Sequence, residues 1–182
     1  ADIIFIMCGV NDENFSTPLG NFGDSTSGTI YGSYDALCKT LKEKYPTRLI
    51  VFITPHYQNK YPHNSGITSY EVSKAMKQVC EKYSIPVYDN FVLSGIGERN
   101  LSYWTTDNCH WNDKAHEMLG RNLSQFMKNT FGYYYGYNSG SGDEKPVLSV
   151  INQSISSASY DTENETLSLS GLNQTFGGVV FN

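Results

Sequence analysis

The sequence predicts an α/β domain on a mainly parallel sheet, and three observations lead there. Two apolar runs of strand length, Ile3 to Met7 and Leu49 to Ile53, are continuous rather than alternating, which suits strands covered on both faces. A segment with apolar residues at helical spacing follows each run. Strand and helix therefore alternate along the chain, an order that right-handed crossovers onto a parallel sheet satisfy.

The first strand ends at Cys8-Gly9, and a polar loop rich in Asn, Asp, Ser, Thr and Gly is expected from Asn11 to about Thr29. Tyr34, Leu37, Cys38, Leu41 and Tyr45 then recur at helical spacing until Pro46 stops the helix. The second strand closes at Thr54-Pro55, and a loop from His56 to Gly66 precedes a helix with Val72, Ala75, Met76 and Val79 on one face. Ile85 to Tyr88 reads as a third, short strand. A loop holding Trp104 to Trp111 leads to a last helix carrying Ala115, Met118, Leu119, Leu123 and Phe126. The expected organisation is a domain over 1–131, a linker over 132–146 rich in Tyr, Gly and Ser, and the start of a β-rich module over 147–182. Alternation such as Thr166-Leu167-Ser168-Leu169-Ser170 marks that module, whose length is too short for an independent sandwich.

Composition removes several classes. The 182 residues carry 13 Lys+Arg against 18 Asp+Glu, a net charge of −5, with no basic cluster, so nucleic acid is not an expected partner. No apolar run approaches the roughly 20 residues that cross a bilayer, so no membrane partner is expected either. The 39% hydrophobic content can fill a core. The 14 Tyr fit either an aromatic core or contact with carbohydrate. Cys38 and Cys80 fall on helical apolar faces and read as buried free thiols; Cys8 and Cys109 do not extend them into a disulfide framework or a metal spacing. The N-terminus has neither a basic n-region nor a cleavage site. It opens directly on a core strand, so something upstream is expected.

Ligands of open parallel sheets bind beyond the carboxyl ends of the strands. Two polar clusters fall there, Gly9-Val10-Asn11-Asp12 after the first strand and Asp107-Asn108-Cys109-His110 before the last helix. Gly9 permits a tight turn, and the neutral Asn11 amide suits a developing oxyanion because it needs no counter-ion. Three residues of separation let Asp107 fold toward His110, fix its tautomer and support the imidazolium formed in proton transfer. Turn chemistry at Asn11-Asp12 and helix capping by Asp107 or Asn108 are the alternatives at this level.

In combination, these clusters resemble the SGNH/GDSL hydrolase superfamily over roughly residues 1–130. Gly9-Val10-Asn11-Asp12 is similar to its G-x-N-D block, whose Asn donates to the oxyanion, and Asp107 to His110 to its D-x-x-H block, which carries the acid and base of a triad. Pro18-Leu19-Gly20 and Thr29-Ile30-Tyr31-Gly32 are similar to a bacterial subgroup with a long loop after G-x-N-D, and His110 to His116 resembles the family's H-P-N-D-x-x-H run with Trp111 in place of Pro. The resemblance implies a three-layer α/β/α, flavodoxin-like domain and acyl transfer through a serine ester, with catalytic His110, Asp107 and Asn11, oxyanion and turn residues Gly9 and Asn11, and neither a cofactor nor a metal. The family's G-D-S and Gly blocks, which precede G-x-N-D, have no counterpart ahead of Gly9. Gly23-Asp24-Ser25 reads G-D-S but follows no apolar strand and lies downstream of Asn11, so Ser25 is not taken as the nucleophile, and Cys8 reads as a core residue.

The chain is thus expected to be the C-terminal portion of a serine esterase whose Ser lies elsewhere, inactive alone, with a missing N-terminal segment or a second chain completing the sheet. The expected substrate is a small acyl ester, free or on a glycan, with His56, Tyr57, Trp104 and Trp111 lining the cleft. The expected location is secreted, cell-surface or virion-associated, in bacteria or phage. The competing expectation is a non-catalytic glycan-binding or structural module of a surface or phage-tail protein.

Overall fold

The computed structural model describes residues 2–15, 17–60 and 66–131, and four strands beyond them. Three strands form a parallel sheet in the order β1 (Ile3–Met7), β2 (Leu49–Ile53), β3 (Val87–Tyr88). β1 and β2 pair along their whole length, Ile3 with Leu49 through Met7 with Ile53, and Phe52 and Ile53 pair with Val87 and Tyr88. The architecture is α/β, as expected. The third strand is shorter than the sequence suggests because Pro86 has no N–H to donate; its carbonyl still accepts from Phe52 N at 3.0 Å.

Two long crossover helices, α2 (Ile30–Lys44) and α3 (Ser69–Lys82), pack on one face of the sheet. Alternation along the strands shows which residues meet them: Ile4, Ile6, Ile50, Phe52 and Val87 all join the cluster built from Tyr34, Cys38, Val72, Ala75, Met76 and Val79. Cys38 and Cys80 are fully buried there as free thiols, with their sulfurs 3.9 Å apart. On the other face, α6 (Asp113–Phe131) lays Phe126 edge-on against Tyr88, ring centroids 5.4 Å apart. Helix, sheet and helix make three layers.

Three short helices interrupt segments that the sequence suggests are loops: α1 (Val10–Asn14), α4 (Asn90–Leu93) and α5 (Leu101–Trp104). At four or five residues each, they are too brief to display a hydrophobic period. None of the helices among the described residues is long and apolar enough to cross a membrane. The expected linker, 132–146, lies outside the described residues. Beyond it, β4 (Leu148–Val150) pairs antiparallel with β7 (Val179–Phe181), and β5 (Ser157–Asp161) with β6 (Thr166–Ser170), the alternating stretch seen in sequence. β7 comes alongside β1 without pairing with it, so β1 has one ladder partner among the described residues.

Candidate active site

Parallel strands discharge their loops at one edge, which brings the segments after β1, β2 and β3 together. After β1, Gly9 caps α1 with φ +110°, a left-handed conformation that disfavours a side chain. Space forbids one as well: a Cβ there would stand 2.7 Å from Tyr34 Oη and 2.8 Å from Val72 Cγ1. This turn sets Asn11 in the first turn of α1, exposed at the sheet edge. Asp12 is half-buried, and burial raises its carboxyl pKa, opposed by a hydrogen bond from Thr17. Cys8, half-buried at the end of β1, has its thiol pushed up to about 12, chiefly by burial, so at neutral pH it is a thiol rather than a thiolate nucleophile.

The segment from Thr105 to Trp111 is a closed loop. A bridge joins Thr105 to Trp111, and Thr106 N donates to the His110 carbonyl at 2.8 Å. Asn108 sits at φ +64°, a conformation that Asn tolerates better than most residues. Inside the loop, one carboxylate oxygen of Asp107 accepts from Cys109 N (3.1 Å) and His110 N (2.7 Å). The other accepts from His110 Nδ1 at 2.8 Å and from the Lys60 ammonium. Lys60, then the backbone and ring of His110, hold the Asp107 carboxyl well below the usual carboxylate range. A carboxylate only accepts, so Nδ1 of His110 carries a hydrogen, and in the neutral imidazole the lone pair is then on Nε2. The His110 side chain is 65% exposed and can present that lone pair to a ligand. Asp107 thus braces His110; the helix-capping role falls to Asn112, whose Oδ1 accepts from Ala115 N at 3.2 Å.

The four aromatic residues expected to line the cleft divide by burial. His56 and Trp111 are 6% and 8% exposed, with their rings tilted by 51° and centroids 4.7 Å apart. Tyr57 and Trp104 are half-buried and pack on the same small core, with Ile96, Leu101 and Ala115. The neighbouring Tyr103 is exposed, with Lys114 over its ring. Tyr61 and His63 lie outside the described residues. Ser25 is exposed in the loop before α2; its neighbour Asp24 accepts from Asn21 N and Thr29 Oγ1, both at 3.0 Å, which is turn chemistry.

Three residues at this edge have no warning in the sequence. Lys60 and Gln58 sit in an ordinary polar loop, and Glu13 follows Asn11-Asp12 as any charged helix residue could. Yet Gln58 and Glu13 are fully buried, with Gln58 Nε2 donating to Glu13 Oε2 at 2.5 Å. Only the fold brings these separated stretches together.

A family model described as GDSL-like Lipase/Acylhydrolase family matches residues 1–118. No curated protein matches the chain. Among solved structures, a protein from Lactobacillus plantarum is 25% identical with a TM-score of 0.68, covering 72% of this chain and 68% of that one. A structure described as a possible lipase from Chitinophaga pinensis is 20% identical with a TM-score of 0.57, covering 71% of this chain and 73% of that one. The lipase/acylhydrolase from Enterococcus faecalis is 19% identical with a TM-score of 0.52, covering 70% and 62%. These last two likenesses bear on the fold alone.

Proposed function

The chain belongs to the GDSL-like lipase/acylhydrolase family, and from that premise we propose that Asp107, His110 and Asn11 are its part of a serine-esterase site whose nucleophile lies outside these 182 residues. Family membership supports ester hydrolysis in general. The observation behind the assignment is the Asp107–His110 pair, oriented by 2.8 Å contact through Nδ1, with its ring exposed.

In this reading His110 Nε2 takes the proton of a serine hydroxyl as the serine oxygen bonds to the ester carbonyl carbon. Asp107 stabilises the imidazolium without taking its proton. The Asn11 amide and backbone N–H groups donate to the tetrahedral oxyanion. Collapse expels the alcohol, which leaves with the proton from His110. Water then adds by the same route, with His110 as base, and releases the acid and the serine.

Two features of the sheet favour an outside source for the serine. β1 is less covered than β2 beyond its first residue: Ile3 is buried, but Ile4, Phe5 and Ile6 are half-buried and Met7 is 43% exposed. Its second edge also lacks a ladder partner among the described residues. In this reading a further strand from an upstream segment or a second chain would pair with that edge, which β7 approaches without pairing. The open, exposed setting of His110 favours a small acyl group on a polar carrier, such as a carbohydrate, as substrate.

The test is hydrolysis of a short-chain aryl ester by the full-length parent and its His110→Ala variant, with a loss of about a thousandfold or more expected from removing a triad base. Equal rates in the two proteins would remove the assignment. For the 182-residue chain alone, a fluorophosphonate is expected to leave no covalent adduct; labelling at Ser25 would contradict the outside serine.

A further inference from the structure

The loop after β2, residues 54–60, touches both halves of the site. Its grip on the acid–base turn runs through three residues. Lys60 Nζ donates to the Asp107 carboxylate, Asn59 N donates to the Asn108 carbonyl at 3.0 Å, and His56 Nε2 donates to the Cys109 carbonyl at 2.7 Å. The same loop reaches the oxyanion side through Gln58. Its Nε2 donates to Glu13 Oε2 on α1 at 2.5 Å, and its Oε1 accepts from Lys60 N at 2.9 Å. Gln58 therefore joins the backbone that carries the Lys60 ammonium to the short helix that carries Asn11.

These contacts differ from ordinary core packing. Gln58 and Glu13 are fully buried polar groups, which are costly unless they are mutually satisfied. Apolar residues at both positions would hold two segments together at lower risk. The geometry of a polar pair is directional, so it fixes an angle as well as a distance. Lys60 meets a carboxylate already bonded by two amides and an imidazole, and adds the donor that sets the rotation of its second oxygen.

Resting on the reading of Asn11, Asp107 and His110 as one site, we infer that Gln58 and Lys60 are positioning residues: the loop after β2 is a polar bridge that sets the oxyanion helix and the acid–base turn relative to each other. Neither residue is assigned contact with substrate. Lys60 keeps Asp107 turned toward His110 Nδ1, and Gln58 keeps Lys60 and α1 in one frame.

The test needs no turnover, so a chain that proves inactive still answers it. Nitrogen NMR of the His110 ring reports which nitrogen carries hydrogen, and amide hydrogen exchange reports the turn and α1 separately. In the unaltered chain the Nδ1–H tautomer should dominate. In Lys60→Met that tautomer should lose its dominance. The Cys109 and His110 amides should then exchange about tenfold faster, as expected on losing one charge-assisted hydrogen bond. Amides of α2 should not change, and Lys60→Arg should restore both signals. Gln58→Met should speed exchange at the turn and also at Phe15 N, which bonds the Asn11 carbonyl at 2.9 Å. An unchanged tautomer and unchanged exchange in Lys60→Met would overturn the role of Lys60. Uniformly faster exchange across all helices in Gln58→Met would overturn the bridge and leave Gln58 as a structural residue only.

Discussion

Buried His56 donates Nε2–H to the Cys109 carbonyl, which leaves Nδ1 as a buried acceptor. Burial pushes its pKa from 6.5 down to about 4, with the Cys109 bond working the other way. The native state therefore binds this proton less readily than the unfolded chain. The stability His56 contributes is complete above pH 6.5 and drains away as pH falls from there to about 4, by on the order of 3 kcal/mol. Urea denaturation across that range should show the slope, and His56→Gln, which keeps an N–H donor on a group that does not titrate, should flatten it. An identical slope in both proteins would assign the pH dependence elsewhere. The depressed Asp107 carboxyl acts in lower territory: its contribution is present above the ordinary carboxylate range and is lost only on further acidification. Sequence named His56 as a cleft residue; its burial and its bond to residue 109 come from chain segments 53 positions apart, which no local pattern records.

At the level of elements, the helix that crosses from β1 to β2 begins where its cap permits. Thr29, extended at φ −127°, accepts from Gly32 N at 3.0 Å and donates to Asp24 at 3.0 Å, so one hydroxyl ties the cap to the preceding turn. Thr29→Ala should lower stability by about 1–2 kcal/mol and Thr29→Ser by less, measured as the shift in urea midpoint at constant m-value. Equal losses in the two variants would mean that the methyl group, not the hydroxyl, matters. The apolar face of this helix was legible because a long element repeats its period several times, and the strand at Leu49–Ile53 because its apolar run is continuous. The start at Ile30, four residues before Tyr34, was not, because a first turn displays capping rather than periodicity. Likewise α1 hides in a polar stretch: with five residues, its helical form depends on Gly9 and on the walls around it.

Over the whole molecule, cover is uneven. The face shared by α2 and α3 is closed, with Val72, Ala75 and Met76 fully buried. The other face buries Ile3 at the start of β1 but leaves Met7 at its end 43% exposed, and α6 keeps Ala115 as its one fully covered residue while Met118, Leu119, Leu123 and Phe126 are half-buried. Apolar surface beside an unpaired strand edge favours association with another strand. Sedimentation velocity should therefore detect self-association of the 182-residue chain at rising concentration, and Met7→Lys should reduce it. A chain that stays monomeric throughout, with or without the substitution, would show that this surface is adequately covered.

The amino-acid sequence by itself determined the alternation of strands and helices, the two polar clusters at the sheet edge and the family they belong to. Each of these is written in residues close together in the chain: a period of burial, a Gly that permits a turn, an Asp three residues before a His. Only the tertiary structure decided that Lys60 shares Asp107 with His110, that Gln58 meets Glu13, and that His56 and Trp111 are buried. Those are encounters between segments dozens of residues apart. They exist because a parallel sheet delivers its loops to one edge, and the folded geometry, not proximity in the chain, chooses which side chains meet there.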